Sequence, residues 1–392
     1  MNILRKILRA IFYSIFLVSV LILLFWLREK YTPDFIQKTI SDKIQEKKPT
    51  IIALENPKEI EFEWQYNNKD YALKETFYGS LYTFYANSPK TYTYQGELGV
   101  DWEKNYYAMF LKKNDSDNSI SQIASDIKSL GEQNKLVADQ IVELALAFVQ
   151  SIPYDHARAQ SILSGNGVTN YPYETLFENK GVCSDKSFLL ANLLAQLGYD
   201  TALLAYDNER HMAVGIKCPV QYSNYPNGYC YAETTATGFR IGMIPDIDAQ
   251  KGSAVPMEKK SYSQNSELSQ FDAKKLGEPK IFPVSSGKTY SGIADSLAMA
   301  KKIDTLSREI NTLEKNLLAQ KKDFETDEAK LSELEKKLTK LKKKNDIDEY
   351  NDLVEDYNEL LKKYKKKIKT YNEQIDVYNQ KINYYNSLVN GF

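Results

Sequence analysis

With 392 residues, 43% of them hydrophobic, the chain can bury a sizeable core in two or three units. Its 51 basic and 52 acidic side chains are interleaved and leave a net charge of −1, which excludes the global positive field expected of a nucleic-acid-binding protein. Tyrosine is abundant at 29 and histidine scarce at 2, so each imidazole merits separate scrutiny.

Residues Ala10 to Leu27 form a charge-free, mostly apolar run of about 18 residues, which as a helix spans roughly 27 Å, enough for the core of a bilayer. Arg5, Lys6 and Arg9 precede it, and Arg28 and Lys30 come after it with Glu29 between them. That bias keeps the N-terminus cytoplasmic and the remainder outside. A cleaved signal peptide is the alternative, but Phe25, Trp26 and Leu27 suit poorly a cleavage site that requires small residues. Residues 1–30 are therefore expected to be a cytoplasmic stub and an uncleaved, single-pass anchor in the cell membrane.

Pro33 to Glu46 reads as a short amphipathic helix. From Glu59 the pattern alternates, with Ile60, Phe62, Trp64 and Tyr66 on one face, an NNKD turn, and Tyr71, Leu73 and Phe77 returning: a hairpin signal. Further aromatic-rich short strands are expected as far as Leu111, making residues 31–118 a β-containing N-terminal region. Its aromatics could line a carbohydrate or peptide groove, although half-buried strands account for them with less assumption.

Lys112 to Ser119, KKNDSDNS, reads as a loop. Two helices are expected after it, Ile120 to Leu130 and Lys135 to Ser151, the second with Ile141, Leu144, Ala145 and Phe148 inward. His156, in the polar loop after Pro153, reads as an ordinary surface residue.

Gly181 to Gly198, GVCSDKSFLLANLLAQLG, is the chemical centre of the chain. Leu189, Leu193 and Leu197, with Leu190 and Leu194 beside them, make the apolar stripe of a core helix, and Gly198 stands where a C-terminal cap belongs. Cys183 falls at the N-terminal end of that helix, where unpaired N–H groups and the macrodipole favour a thiolate. A free cysteine is most often a small buried hydrophobe. The segments downstream of the helix set Cys183 apart from that common fate. They are a strand from Thr201 to Tyr206, a polar turn from Asp207 to Arg210, His211 opening the strand HMAVGIK, and a further strand, YCYAETT, carrying Glu233.

The order Cys, His, acid, on a helix and two adjacent strands, resembles the prokaryotic transglutaminase-like cysteine peptidases of the papain-like superfamily. The matching pieces are FVQSIPYD at Phe148 to Asp155, YPYETL at Tyr171 to Leu176, GVCSDKSFLLANLLAQLGYD, RHMAVGI and YAETTATGFRIG, which together span roughly Phe148 to Pro245. The resemblance implies an α+β, papain-like core over residues 119–246. It implies that Cys183 attacks an acyl carbonyl, His211 carries the proton and Glu233 orients the imidazole, with no metal or cofactor. Gln150 or Tyr171 could supply a polar side chain to the oxyanion. Two departures are visible: Val182 and Ser184 stand where many relatives have an acidic pair, although Asp185 remains, and the third residue is Glu233 where much of the superfamily has Asp.

Cys218 and Cys230 flank a short loop between two strands, a candidate disulfide in an oxidising compartment, which leaves Cys183 as the odd free thiol; three reduced thiols are the alternative. Asp246 to about Lys288 is polar and reads as a connection with little core of its own, and residues 247–290 are expected to be a linker.

From Ser291 a long-period helix begins. Ile303, Leu306, Ile310, Leu313 and Leu317 set a register that Gln320 and Asp327 interrupt. A second arm carries Tyr350, Tyr357, Tyr364, Tyr371, Tyr378 and Tyr385 at seven-residue spacing, each with an aliphatic side chain four residues later. The break from Leu341 to Tyr350, with Asp346 and Glu349 at capping-box spacing, predicts an antiparallel coiled-coil hairpin over 291–392, with arms of about 43 residues and roughly 65 Å. A continuous parallel oligomer is the competing picture.

Two functions fit these features. One is a membrane-anchored, extracytoplasmic thiol enzyme acting on protein or peptide amides, releasing the acyl group to water or to an amine. The other is a non-catalytic, tethered peptide-binding scaffold whose coiled coil engages a protein partner. An intact Cys–His–Glu set is what a pure scaffold would have no reason to retain.

Overall fold

A computed structural model describes residues 52–248, 251–255, 273–344 and 347–390. The span at Ala10 to Leu27, the helix at Pro33 to Glu46 and the cap at Asp346 lie outside the described residues. Among the described residues, no helix is long and apolar enough to cross a membrane. Among the described residues, Ile52 and Asn114–Ser116 fall in a small unit, where the Ile52 N–H donates to Ser116 Oγ (2.9 Å), and the others belong to one large unit.

The large unit opens with an antiparallel hairpin of β1 (Pro57–Tyr66) and β2 (Lys69–Tyr78), which sets Phe62 opposite Leu73 and Trp64 opposite Tyr71. Ile60, Phe62, Trp64 and Tyr66 are buried and alternate with exposed residues. Asn67 and Asn68 both take positive φ, 51° and 58°, the two-residue turn that asparagine tolerates and that matches the strand twist. The further strands expected before Leu111 are not there: Gly79–Ala86 (α1) and Trp102–Phe110 (α2) are helices. Leu81 and Tyr85, like Trp102, Tyr106 and Phe110, recur every four residues, and the β preference of aromatic side chains hides that helical period.

Five more helices come next: α3 (Ser119–Gln133), α4 (Ala138–Ser151), α5 (His156–Leu163), α6 (Pro172–Glu178) and α7 (Cys183–Gln196). In α4 every residue from Ile141 to Gln150 is buried, so this helix is covered on all sides. The inner face of the hairpin supplies part of that cover, with Phe62 and Trp64 meeting the Phe148 ring at centroid distances of 5.3 and 5.2 Å. Helix α7 lies against it with Leu189, Leu190, Leu193 and Leu194 fully buried, and ends before Gly198, whose φ of 87° suits glycine.

The strands are β3 (Thr201–Tyr206), β4 (His211–Lys217), β5 (Tyr229–Ala232), β6 (Asp246–Asp248), β7 (Ser253–Ala254), β8 (Ala273–Lys275) and β9 (Lys280–Ser285). The main sheet has the order β5-β4-β3-β9, antiparallel throughout, and β7-β6-β8 form a small second sheet. Residues 247–290 are thus more than the linker read from the sequence, since β9 completes the main sheet. It does so as an edge strand, the place in a sheet where a proline such as Pro283 is tolerated, and its Phe282 meets Tyr107 edge-on at 4.8 Å. Cys218 and Cys230 form a disulfide across the loop between β4 and β5.

Helices α8 (Ile293–Lys344) and α9 (Ile347–Asn390) have 52 and 44 residues, so they run to about 78 and 66 Å and the first is longer than expected. Glu309 meets Lys381, Gln320 meets Gln374, Asp327 meets Lys367 and Glu335 meets Tyr357, so position falls along one helix as it rises along the other: an antiparallel hairpin within one chain. The two polar interruptions are matched across the seam, Gln320 to Gln374 and Asp327 to Lys367, each at 2.6 Å. Tyr371, Tyr378 and Tyr385 are buried with Ile303, Leu306, Ile310 and Leu317, whereas Tyr350, Tyr357 and Tyr364 are half-buried nearer the turn.

Candidate active site

Cys183 is the first residue of α7 and half-buried. Its helix is held over the end of the sheet by Ser187, one turn further on, whose Oγ donates to the Met212 carbonyl (3.0 Å) and lies 3.4 Å from Thr234 Oγ1. Asp185 caps the same end. It accepts from the Val182 N–H (3.1 Å) and the Asn170 N–H (2.8 Å), and its complete burial pushes its carboxyl up to about 7. Lys186 is also fully buried, donating to the Gln150 and Ile152 carbonyls that end α4 (3.2 and 2.6 Å), and burial pulls it down to about 7.

His211 opens β4, opposite Tyr206 of β3. Val214 pairs with Ala232, so the same register carried one residue past β5 sets Glu233 beside Ala213, on the face that also carries His211. Glu233 therefore stands just beyond its strand and not within it as predicted. Both side chains are completely buried, with His211 Nε2 3.2 Å from Glu233 Oε2. The other carboxylate oxygen accepts from the Thr234 N–H (2.9 Å), the Thr235 N–H (2.6 Å) and the Thr235 hydroxyl (2.6 Å). This nest fixes the longer glutamate stem against the ring.

The imidazole is held from both sides. Nε2 lies 3.2 Å from the Tyr231 hydroxyl, which itself donates to Glu233 Oε2. Nδ1 lies 3.1 Å from the Gly252 carbonyl. A carbonyl and an ionised carboxylate can only accept, so both ring nitrogens carry hydrogen and the ring is an imidazolium. Burial alone would lower the His211 pKa, but the Glu233 charge and a hydrogen bond with Cys183 outweigh it and push it up to about 10. Glu233 shows the reciprocal effect: burial would raise its pKa, but His211 and the surrounding donors hold it down to about 2. The structure thus brings Cys183, His211 and Glu233 together.

It does not bring the two candidate oxyanion side chains to the thiol. Gln150 is buried, and its amide donates to the Glu233 and Phe239 carbonyls (2.9 and 2.8 Å), so it braces the acid from behind. Tyr171 caps α6 and donates its hydroxyl to the Pro89 carbonyl (2.7 Å). Both side chains have their hydrogens committed elsewhere, a correction to both assignments. His156 is exposed, as expected.

Three neighbours were not singled out from the sequence: Tyr231, Gly252 and Tyr154. The Tyr154 hydroxyl donates to the Lys251 and Gly252 carbonyls (2.9 and 3.2 Å), while its oxygen takes a hydrogen bond from the Cys183 backbone N–H. Burial raises the Tyr154 pKa well above its usual value, so the hydroxyl keeps its proton. Tyr154 does lie within the piece FVQSIPYD, but the Lys251–Gly252 turn that holds it is distant in the chain. Among the described residues no group of histidine, cysteine and carboxylate side chains could hold a metal ion.

A protein-family model described as a transglutaminase-like domain matches residues 118–222. The match contains Cys183 and His211 and stops short of Glu233. No curated protein and no solved structure is significantly similar to the chain. Together, the helix-borne cysteine, the strand-borne histidine and the family match show that this chain carries a transglutaminase-like domain, in residues 118–222.

Proposed function

We propose that the protein is a thiol acyl-transfer enzyme acting on peptide or protein amides, with water as acceptor. The observation that carries this is the convergence on the His211 ring of the Glu233 carboxylate, at 3.2 Å, and of Cys183, through a hydrogen bond. The Cys183 thiolate attacks the amide carbonyl carbon, and the oxyanion that forms takes over the Cys183 N–H from the Tyr154 oxygen. The C–N bond then breaks as the imidazolium hands its proton to the departing amine, leaving a thioester and neutral His211. Water, deprotonated by His211, adds to the thioester. The C–S bond breaks to give the carboxylic acid, and the thiolate–imidazolium pair is restored.

Brief iodoacetamide treatment and then mass spectrometry tests this. At neutral pH labelling is expected at Cys183 alone, faster than at a model thiol and slowed by His211→Ala, with Cys218 and Cys230 inert until reduced. An accessible Cys183 that reacts like a model thiol and ignores the loss of His211 would favour the binding scaffold instead.

The charge bias around Ala10 to Leu27 supports a cell-membrane anchor with the catalytic unit outside, and the hairpin of α8 and α9 is suited to serve as an arm for a protein partner. Protease added to intact cells or spheroplasts is expected to digest the region after Lys30; full protection would reverse the orientation.

A further inference from the structure

Beside the first turn of α7 lies a cleft of about 410 Å³, in the size range of small-ligand sites. Its lining includes Tyr92, Tyr94, Leu98 and Trp102, a largely aromatic wall, together with Val168. Tyr94, Leu98 and Val168 are 57%, 40% and 46% exposed, a cluster of apolar side chains facing water. Most of this wall precedes residues 118–222 and so lies outside the stretch matched to the transglutaminase-like domain.

The cleft adjoins the N-terminal turn of α7, which Cys183 opens. Its lining includes Thr169, whose hydroxyl lies 3.2 Å from that of Ser184, the residue after the cysteine, and the Asn170 N–H beside Thr169 donates to Asp185 of the same turn (2.8 Å). Tyr106, also in the lining, hydrogen-bonds Thr169 from the other side. The cleft also presents no free charge. Lys90 is the one charged side chain in its lining, and its ammonium is tied to Glu174 at 2.6 Å with both side chains largely buried. Nearby, the Tyr171 hydroxyl pins the Pro89 carbonyl, which fixes where this wall begins.

We propose that this cleft binds a large uncharged side chain, aromatic or aliphatic, on the acyl side of the scissile amide, so that the substrates are peptides or proteins carrying such a residue there. The assignment rests on the acyl-transfer function proposed for Cys183. An apolar cleft suits the acyl portion because that portion stays bonded to Cys183 through both half-reactions. Water must instead arrive where the amine has left, and an aromatic wall would obstruct it. Charged side chains are disfavoured because the cleft offers them no counter-ion.

Two blocked dipeptidyl chloromethyl ketones test this on the full chain, one with phenylalanine and one with aspartate as the side chain entering the cleft. Each alkylates Cys183 by forming a C–S bond with loss of chloride, and each rate is divided by the iodoacetamide rate of the same protein. The phenylalanine probe is expected to react on the order of 10- to 100-fold faster than the aspartate probe. Trp102→Ala should reduce that ratio by at least about fivefold. Leu98→Lys, at an exposed loop position where folding is not at stake, should favour the aspartate probe. A ratio near one with fast, His211-dependent iodoacetamide labelling would overturn the cleft assignment while leaving the enzyme intact, as would a ratio that neither substitution moves. Labelling indifferent to His211 would remove the enzymatic function and the cleft assignment with it.

Discussion

Glu233→Gln is expected to bring the His211 titration down from about 10 toward, or below, the ordinary imidazole value of about 6.5. Burial by itself disfavours the imidazolium, and Glu233 is the foremost group opposing it. With the carboxylate replaced by a neutral amide, only the hydrogen bonds to Cys183, Tyr231 and Gly252 remain around the ring. The measurement is direct because the chain has 2 histidines, and His156 is exposed. Two imidazole resonances tracked by NMR from pH 5 to 11 would assign both. Amide hydrolysis should fall by on the order of 10³- to 10⁴-fold, since the ring loses the partner that orients and charges it. A His211 titration unmoved by the substitution would remove Glu233 from the mechanism.

The same pair sets a stability window, and the two partners act at opposite ends of it. Glu233 has a folded pKa held below its unfolded value, so its contribution is present above about 4.3 and is lost as pH falls toward 2. His211 has a folded pKa raised above its unfolded value, so its contribution is complete below about 6.5 and is lost as pH rises toward 10. The pair stabilises the fold most between about pH 4.3 and 6.5.

The second large effect concerns Glu143, on α4 and away from the thiol. Its carboxylate accepts from Tyr66 of β1 (3.0 Å), Arg240 of the loop after Glu233 (2.9 Å), Tyr290 (2.7 Å) and Ser296 at the root of α8. Three separate parts of the chain, the hairpin, the loop after Glu233 and the root of α8, therefore meet on one buried acid. Glu143→Ala should lower the unfolding free energy by about 3–5 kcal/mol, because it leaves the Arg240 guanidinium without its carboxylate and takes an acceptor from two buried tyrosines. Urea unfolding would show a lowered midpoint at unchanged slope. Glu143→Gln, which keeps one acceptor oxygen, should lose less. A loss below about 1 kcal/mol for the alanine variant would mean that water or neighbouring groups replace the carboxylate.

The local elements were legible wherever period and punctuation agreed. The strands Thr201–Tyr206 and His211–Lys217 fall where the alternation and the polar turn place them, and the asparagine turn after Tyr66 closes the first hairpin. Where they disagreed, the sequence misled. Aromatic density concealed the four-residue spacing of Trp102, Tyr106 and Phe110, and Pro283 concealed an edge strand. The heptads revealed the two long helices, and the polar interruptions at Gln320 and Asp327 find partners only once the hairpin is folded.

By itself the sequence singled out the candidate residues: a cysteine opening an apolar helix, a scarce histidine opening a strand, and a glutamate just past the next. Those choices are local, written in period, caps and turns. Tertiary structure alone decided what surrounds them, because Tyr154, Tyr231 and Gly252 reach the site through sheet register and through a turn far along the chain. It likewise decided that Gln150 and Tyr171 spend their hydrogens on the Glu233, Phe239 and Pro89 carbonyls. A side chain's hydrogen-bond partners depend on which distant carbonyls lie within about 3 Å, and no local pattern encodes that.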